Sequence, residues 1–160
     1  MTEQDQPACA VLAVAPLTPE MGHDILLQAF AGLADLDWTL TIAGNGPAGE
    51  LTRQADGLGL GGRTRIVPDP EPAALDALWA TADLFALAAR APSPAALAAL
   101  ERGLPVAVSE AVGLDVPVDA GVICATEDAA ALGRALRRLI YDRPLRQSLA
   151  EGARRAGREP

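Results

Sequence analysis

Six short apolar runs, each followed by a stretch with helical periodicity, constrain this chain more than any other feature. The runs are "CAVLAVA" (9–15), "WTLTIAG" (38–44), "TRIVP" (64–68), "DLFALAA" (83–89), "LPVAVS" (104–109) and "AGVICA" (120–125). Several are apolar at every position instead of every second one, the pattern of strands buried on both faces. Between them lie predicted helices over 19–36, 48–58, 71–82 and 93–103, with a fifth from Thr126 to about Asp142 and a last one opened by Pro144. In the first helix Ile25, Leu26, Ala29, Phe30 and Leu33 are expected to face inward, with Thr18 as N-cap and Pro19 at the first helical position. Asp69 is a candidate cap for the third helix, and Ser93 followed by Pro94 starts the fourth.

Strand and helix alternating in this way predict an α/β fold, a doubly wound, Rossmann-like domain of about six parallel strands with helices on both faces. Residues 1–8 are expected to be a flexible N-terminus and 9–158 one domain. Half of the residues are hydrophobic but only 3% are aromatic, so the core must be built from Ala, Leu and Val. In such folds ligands sit beyond the carboxyl ends of the strands. That directs attention to the loops 15–22, 44–48, 68–71, 89–93 and 109–119.

Charge excludes several classes of function. The net charge is −8 and the pI about 4.5, which argues against nucleic-acid binding. All 13 basic residues are arginine, so Schiff-base chemistry and a P-loop lysine are absent. Of the net −8, residues 129–160 contribute +5 and residues 1–128 contribute −13. This Arg-rich end reads either as a solvated helix face or as a surface for a partner or an anionic membrane, a peripheral contact. No run is long enough for a membrane span and the N-terminus lacks a signal-peptide pattern, so a cytoplasmic location is expected. Cys9 and Cys124 lie in apolar runs and read as small core residues.

Single residues give weak signals. His23, the lone histidine, reads either as a donor to an anion at a helix start or as an exposed first-turn residue. With no Cys or carboxylate cluster near it, no metal site is expected. The turn "GNGP" offers Gly44, Asn45 and Gly46 either to a phosphate or simply to a tight strand-to-helix turn. Ser93 could hold an anion at its helix start or serve only to begin that helix. No serine sits in a nucleophile elbow, and "GLGLGG" (57–62) ends a helix instead of opening one, so it fails as a dinucleotide fingerprint.

Five segments, taken in order, carry a resemblance: "PEMGHDILLQAF", "LTIAGNGP", "LWATADLFALAAR", "ERGLPVAVSEAVGL" and "EDAAALGRALRRLIYDRPLRQSLAEGAR". Together they resemble the C-terminal, nucleotide-sugar-binding half of the retaining glycosyltransferases of family 4, also called group 1. The resemblance implies a nucleotide-diphosphate sugar as ligand and no other cofactor. It also implies a Gly-Arg-Leu after the first strand and a lysine at the next helix start, two cations for the donor diphosphate. Here Ala15, Pro16 and Leu17 stand at the first and Met21 at the second. The family's E-x7-E pair falls near Pro92 or Ser93 and at Ala98. Glu101 lies three places late, about 300° round the helix, and is expected to face solvent. Val116 replaces a further glutamate. Arg90 matches the arginine of a serine–arginine pair whose serine is Ala89.

No catalytic residue is therefore assigned, and the candidate ligand-binding residues are Gly22, His23, Gly44, Asn45, Gly46, Arg90, Ser93 and Gly113. Three readings follow from the resemblance and the charge. The chain is a catalytically impaired pseudoenzyme or accessory subunit, or a half-enzyme working with a separate N-terminal-type acceptor domain, or an interaction domain using its Arg-rich helices. A homo-oligomer is compatible with the first.

Overall fold

The structure, a computed structural model, describes residues 8–158; most of the expected flexible N-terminus lies outside the described residues. The strands are β1 (Cys9–Val14), β2 (Trp38–Gly44), β3 (Thr64–Pro68), β4 (Leu84–Leu87), β5 (Val106–Ser109) and β6 (Gly121–Cys124). The helices are α1 (His23–Ala31), α2 (Gly49–Gly57), α3 (Pro72–Thr81), α4 (Ala95–Glu101), α5 (Ala129–Tyr141) and α6 (Arg143–Arg158). All strand pairs are parallel, in the order β3-β2-β1-β4-β5-β6. This is the doubly wound order, and it reverses direction between β1 and β4.

The all-apolar strands explain why both faces are covered. Side chains alternate across a strand, and along β1 Val11 and Ala13 enter one core while Leu12 enters the other. In β4, Leu84 and Ala86 join the first core and Phe85 and Leu87 the second. The first core is closed by α1, α2 and α5 through Leu26, Phe30, Leu51 and Leu136. The second is closed by α3 and α4 through Trp79, Ala96 and Leu100. Helix α6 serves both, with Leu149 in the first core and Ala153 in the second. Cys9 and Cys124 are buried, and burial pushes the Cys9 thiol up to about 11, which leaves it unreactive near neutral pH.

Helix ends depart from the sequence expectations. The first helix does not run from Pro19 to Leu36: Pro19–Met21 form a 3₁₀ turn, Gly22 adopts φ +66, and α1 begins at His23. Thr18 makes no side-chain cap. Leu27 is buried where Ile25 was expected, and Ile25 is only partly so. Glu71, not Asp69, occupies the N-cap position of α3. Pro94 takes that position in α4, while the Ser93 hydroxyl accepts from the Ala95 amide at 3.3 Å. Asp128, not Thr126, caps α5 by accepting from the Ala131 amide at 2.8 Å. These sites carry several cap-competent residues close together, and local propensity does not choose between them.

At the carboxyl edge, Gly22 and Gly44 let backbones touch. A Cβ on Gly22 would lie 1.8 Å from the Ala88 carbonyl oxygen, and one on Gly44 would lie 1.8 Å from that of Ala15. A Cβ on Gly57 would meet nothing within 4 Å. Gly22→Ala, which also incurs the left-handed penalty of about 1–2 kcal/mol, and Gly44→Ala should each lower unfolding stability by at least about 2 kcal/mol. Gly57→Ala should change it by less than about 1 kcal/mol, in the stabilising direction. Urea titration of the three variants, compared at constant slope, checks this.

Candidate ligand site at the carboxyl ends of the strands

The loop after β1 and the loop after β4 meet at the switch point, where a ligand crevice is expected. The first of them is bound to the sheet on both sides. Leu17 donates its amide to the Asn45 carbonyl at 2.8 Å, and the Arg90 amide donates to the Glu20 carbonyl at 2.7 Å. Its apolar residues turn inward: Leu17 enters the first core and Met21 the second, each 8% exposed.

His23 is buried at 1% exposure, which corrects the expectation of an exposed first-turn residue. Its Nε2 lies 3.1 Å from the Pro16 carbonyl oxygen and so donates to it. Its Nδ1 is buried without a partner. Burial pulls the pKa below its ordinary 6.5, against the opposing pull of the Pro16 and Ala15 carbonyls. The neutral ring is thus a brace across its own loop, with its one donor already used.

Arg90 is held on nearly every side. Nη1 donates to the Pro19 carbonyl at 2.6 Å and to Asp24 at 3.0 Å, and Nη2 donates to the other Asp24 oxygen at 2.9 Å. Nε donates to Glu127 at 2.6 Å. Four of the five guanidinium N–H groups are spent. The paired hydrogen bonds from Arg90 hold the Asp24 carboxyl below its ordinary 3.8. Glu127 takes this role with φ 63, an uncommon backbone for a residue with a side chain.

The remaining candidates lie along the same edge. Asn45 is exposed. The Gly46 amide faces the Asp69 carboxylate at 3.3 Å, and Asp69 itself holds φ 48. The Ser93 amide donates to the Val112 carbonyl at 3.3 Å, which ties the post-β4 loop to the post-β5 loop. Gly113 ends the short 3₁₀ turn Glu110–Val112 at φ 79, its amide donating to Glu110. Nearby, the Ser109 hydroxyl donates to the Ala89 carbonyl at 2.6 Å, and Thr126 accepts from the Ala111 amide at 3.0 Å. Glu101 is exposed, as expected from its place on the helix.

The fold therefore brings the loops that carry Gly22, His23, Arg90, Ser93 and Gly113 together at the carboxyl edge, with Gly44, Asn45 and Gly46 beside the loop after β1. Sequence reasoning missed the residues that neutralise them: Asp24, Glu127 and Asp69. Among the described residues, Arg90 is the one cation in the loops that follow the six strands, against Glu20, Asp69, Glu71, Glu110, Asp115, Asp119, Glu127 and Asp128. The edge has an anionic field with its single cation already paired.

Two consequences are measurable. Arg90→Lys keeps the charge but not the fork that reaches a carboxylate, a carbonyl and Glu127 together, and should cost about 1–2 kcal/mol of unfolding stability in urea. The second concerns pH. Because the folded pKa of His23 is below 6.5, the unfolded chain takes up the proton first, so stability falls as pH falls through 6.5. The Asp24 contribution is complete above its ordinary 3.8 and is lost only as pH drops through its lower folded value. His23→Gln should flatten the stability profile between about pH 7 and 5 and leave the acid limb in place.

The fold has counterparts in known proteins. The family model described as "Glycosyl transferases group 1" matches residues 4–156. A D-inositol 3-phosphate glycosyltransferase from Salinispora arenicola is 33% identical over 163 aligned residues, 91% of this chain and 36% of that protein. The chain thus spans about a third of the length of the curated relative it matches. Sucrose-phosphate synthase from Thermosynechococcus elongatus shares the fold at a TM-score of 0.83 and 21% identity, over 98% of this chain and 41% of that one. The C-terminal domain of a group 1 family glycosyl transferase from Francisella tularensis does so at 0.82 and 16%, over 96% of this chain and 86% of that one. The Anabaena protein HepE, in complex with UDP and glucose, does so at 0.80 and 24%, over 94% and 43%. From the family match and the curated relative together, this chain belongs to the group 1 glycosyl transferases.

Proposed function

We propose that this chain is a nucleotide-sugar-binding-type domain of that family whose diphosphate end is closed by its own side chains, so that alone it is catalytically impaired. The observation that carries the reading is the state of Arg90, bound to Asp24, Glu127 and the Pro19 carbonyl. A departing diphosphate needs cations or amides aimed at its developing charge, each contributing about 3 kcal/mol in the transition state. Here the positions that the family resemblance gives to two cations hold Pro16 or its neighbours and the buried Met21. Pro16 has no amide to offer in place of a side chain. The Gly46 amide faces a carboxylate instead of open solvent, and the surrounding acids repel an anion.

An accessory or pseudoenzyme role fits this chemistry, with the scaffold kept and the grip on phosphate replaced by internal ion pairs. The competing reading is a half-enzyme that binds a nucleotide-diphosphate sugar and completes its site with a separate acceptor domain. Calorimetry with UDP-, GDP- and ADP-sugars distinguishes the two. We expect no saturable heat below about 1 mM ligand, corresponding to binding weaker than about −4 kcal/mol. Saturation in the micromolar range by any of these sugars overturns the impaired-domain reading in favour of the half-enzyme.

A further inference from the structure

The Arg-rich C-terminal helices do not form one basic face. Arg137 pairs with Asp35 and donates to the Gly32 carbonyl, joining α5 to the end of α1. Arg146 donates to the Leu139 and Ile140 carbonyls and so closes the end of α5. Arg155 pairs with Asp119 beside the start of β6. Arg134 and Arg138, one turn apart on α5, are exposed and instead border a groove of about 410 Å³. Its apolar wall includes Val122, Leu139, Leu145 and Leu149.

That groove runs along the last strand of the sheet. β6 pairs only with β5 among the described residues. The Val106 amide donates to the Ala120 carbonyl at 3.2 Å, and Val106 sits opposite Gly121 in the register. By the alternation of a parallel ladder, Ala120, Val122 and Cys124 turn their backbone groups to β5. Gly121 and Ile123 turn theirs outward. Ile123 is 41% exposed and Val118, just before the strand, 94%.

The two edges of the sheet are treated differently. β3, at the other end, carries exposed Arg65 and ends in Pro68, which discourage a further strand. β6 reads Gly-Val-Ile-Cys, with no charge and no proline. An uncharged edge whose outward donors and acceptors have no partner among the described residues, beside an apolar groove with two arginines on its rim, is complementary to an extended peptide.

We propose that β6 is a docking edge for an extended segment of a partner chain, apolar at alternate positions and flanked by acidic residues, which adds a seventh strand to the sheet. Its backbone pairs with Gly121 and Ile123, its inward apolar side chains enter the groove, and its acidic flanks meet Arg134 and Arg138. The charge distribution selects that partner. Residues 1–128 carry −13 and repel an acidic segment elsewhere, while this rim attracts it. A second copy of the chain is disfavoured, since antiparallel pairing of two β6 edges brings like-charged α5 rims together. The inference stands apart from the donor-site reading, because β6's outer edge lies away from the β1–β4 crevice.

The test uses the full chain and a fluorescein-labelled peptide, Glu-Asp-Val-Thr-Val-Asp-Glu, followed by polarisation. Saturable binding should weaken at least roughly tenfold in the Arg134→Glu/Arg138→Glu variant and with a peptide bearing lysine for each acid. N-methylation of the peptide at alternate residues should also reduce it at least roughly tenfold in one of the two phases, because it removes the edge hydrogen bonds without touching the protein. Absence of saturation up to about 1 mM, or binding indifferent to both N-methyl phases, overturns the proposal. So does capture by phosphatidylserine vesicles that abolishes peptide binding, or sedimentation showing a dimer through β6 that the peptide cannot disrupt.

Discussion

The carboxyl edge of this molecule depends on one close backbone contact, that of Gly22 with the carbonyl of Ala88. Because Gly22 lacks a Cβ and holds a left-handed φ, the loop after β1 can lie directly on the end of β4. Everything at the crevice follows from that approach. Met21 is carried into the second core, His23 is turned inward beneath Pro16, and Asp24 is brought within bidentate reach of Arg90. A loop standing a few ångströms further out would leave Arg90 facing solvent and available to an anion. The same glycine that lets the loop approach β4 thereby brings the Pro19 carbonyl and Asp24 within reach of Arg90.

Arginine does most of the fastening, in several places at once. Arg63 stacks over Trp38 at 4.0 Å and donates to the Ala34, Leu36 and Trp38 carbonyls, which fixes the turn between α1 and β2. Arg90 does the same at the switch point, and Arg146 at the end of α5. A planar fork with five donors suits clusters of carbonyls in a way that a lysine ammonium does not. The exposed pairs Arg137–Asp35 and Arg155–Asp119 each contribute about 0–1 kcal/mol. Their main effect is on charge, since they remove cations from a surface that looks basic in the sequence.

The strands were legible because the signal for a strand buried on both faces is local and strong. "WTLTIAG" and "TRIVP" became β2 and β3 with the expected limits. Helix starts were less legible: Thr18, Asp69 and Thr126 are good caps by type, but Gly22, Glu71 and Asp128 set the boundaries. His23 was misread although a signal existed: it stands three, four and seven places before Leu26, Leu27 and Phe30, so helical spacing puts it on the buried face of α1. Ser93 and Gly113 were visible as loop residues, but the bond from the Ser93 amide to Val112 joins segments about twenty residues apart and has no local signature.

By itself the sequence determined the layered α/β architecture, since all-apolar strands alternating with amphipathic helices have few other ways to bury both faces. It also determined that the edge where a ligand would sit carries one arginine among several acids, because that depends only on which residues follow each strand. Tertiary structure decided what that arginine does. Asp24 and Glu127 are 66 and 37 residues from Arg90 along the chain; the pairing of β1 with β4 brings the first to it, and the succession β4-β5-β6 brings the second. Charge is a property of residues, but whether a charge is free to hold a ligand depends on what the fold has already placed within hydrogen-bonding distance of it.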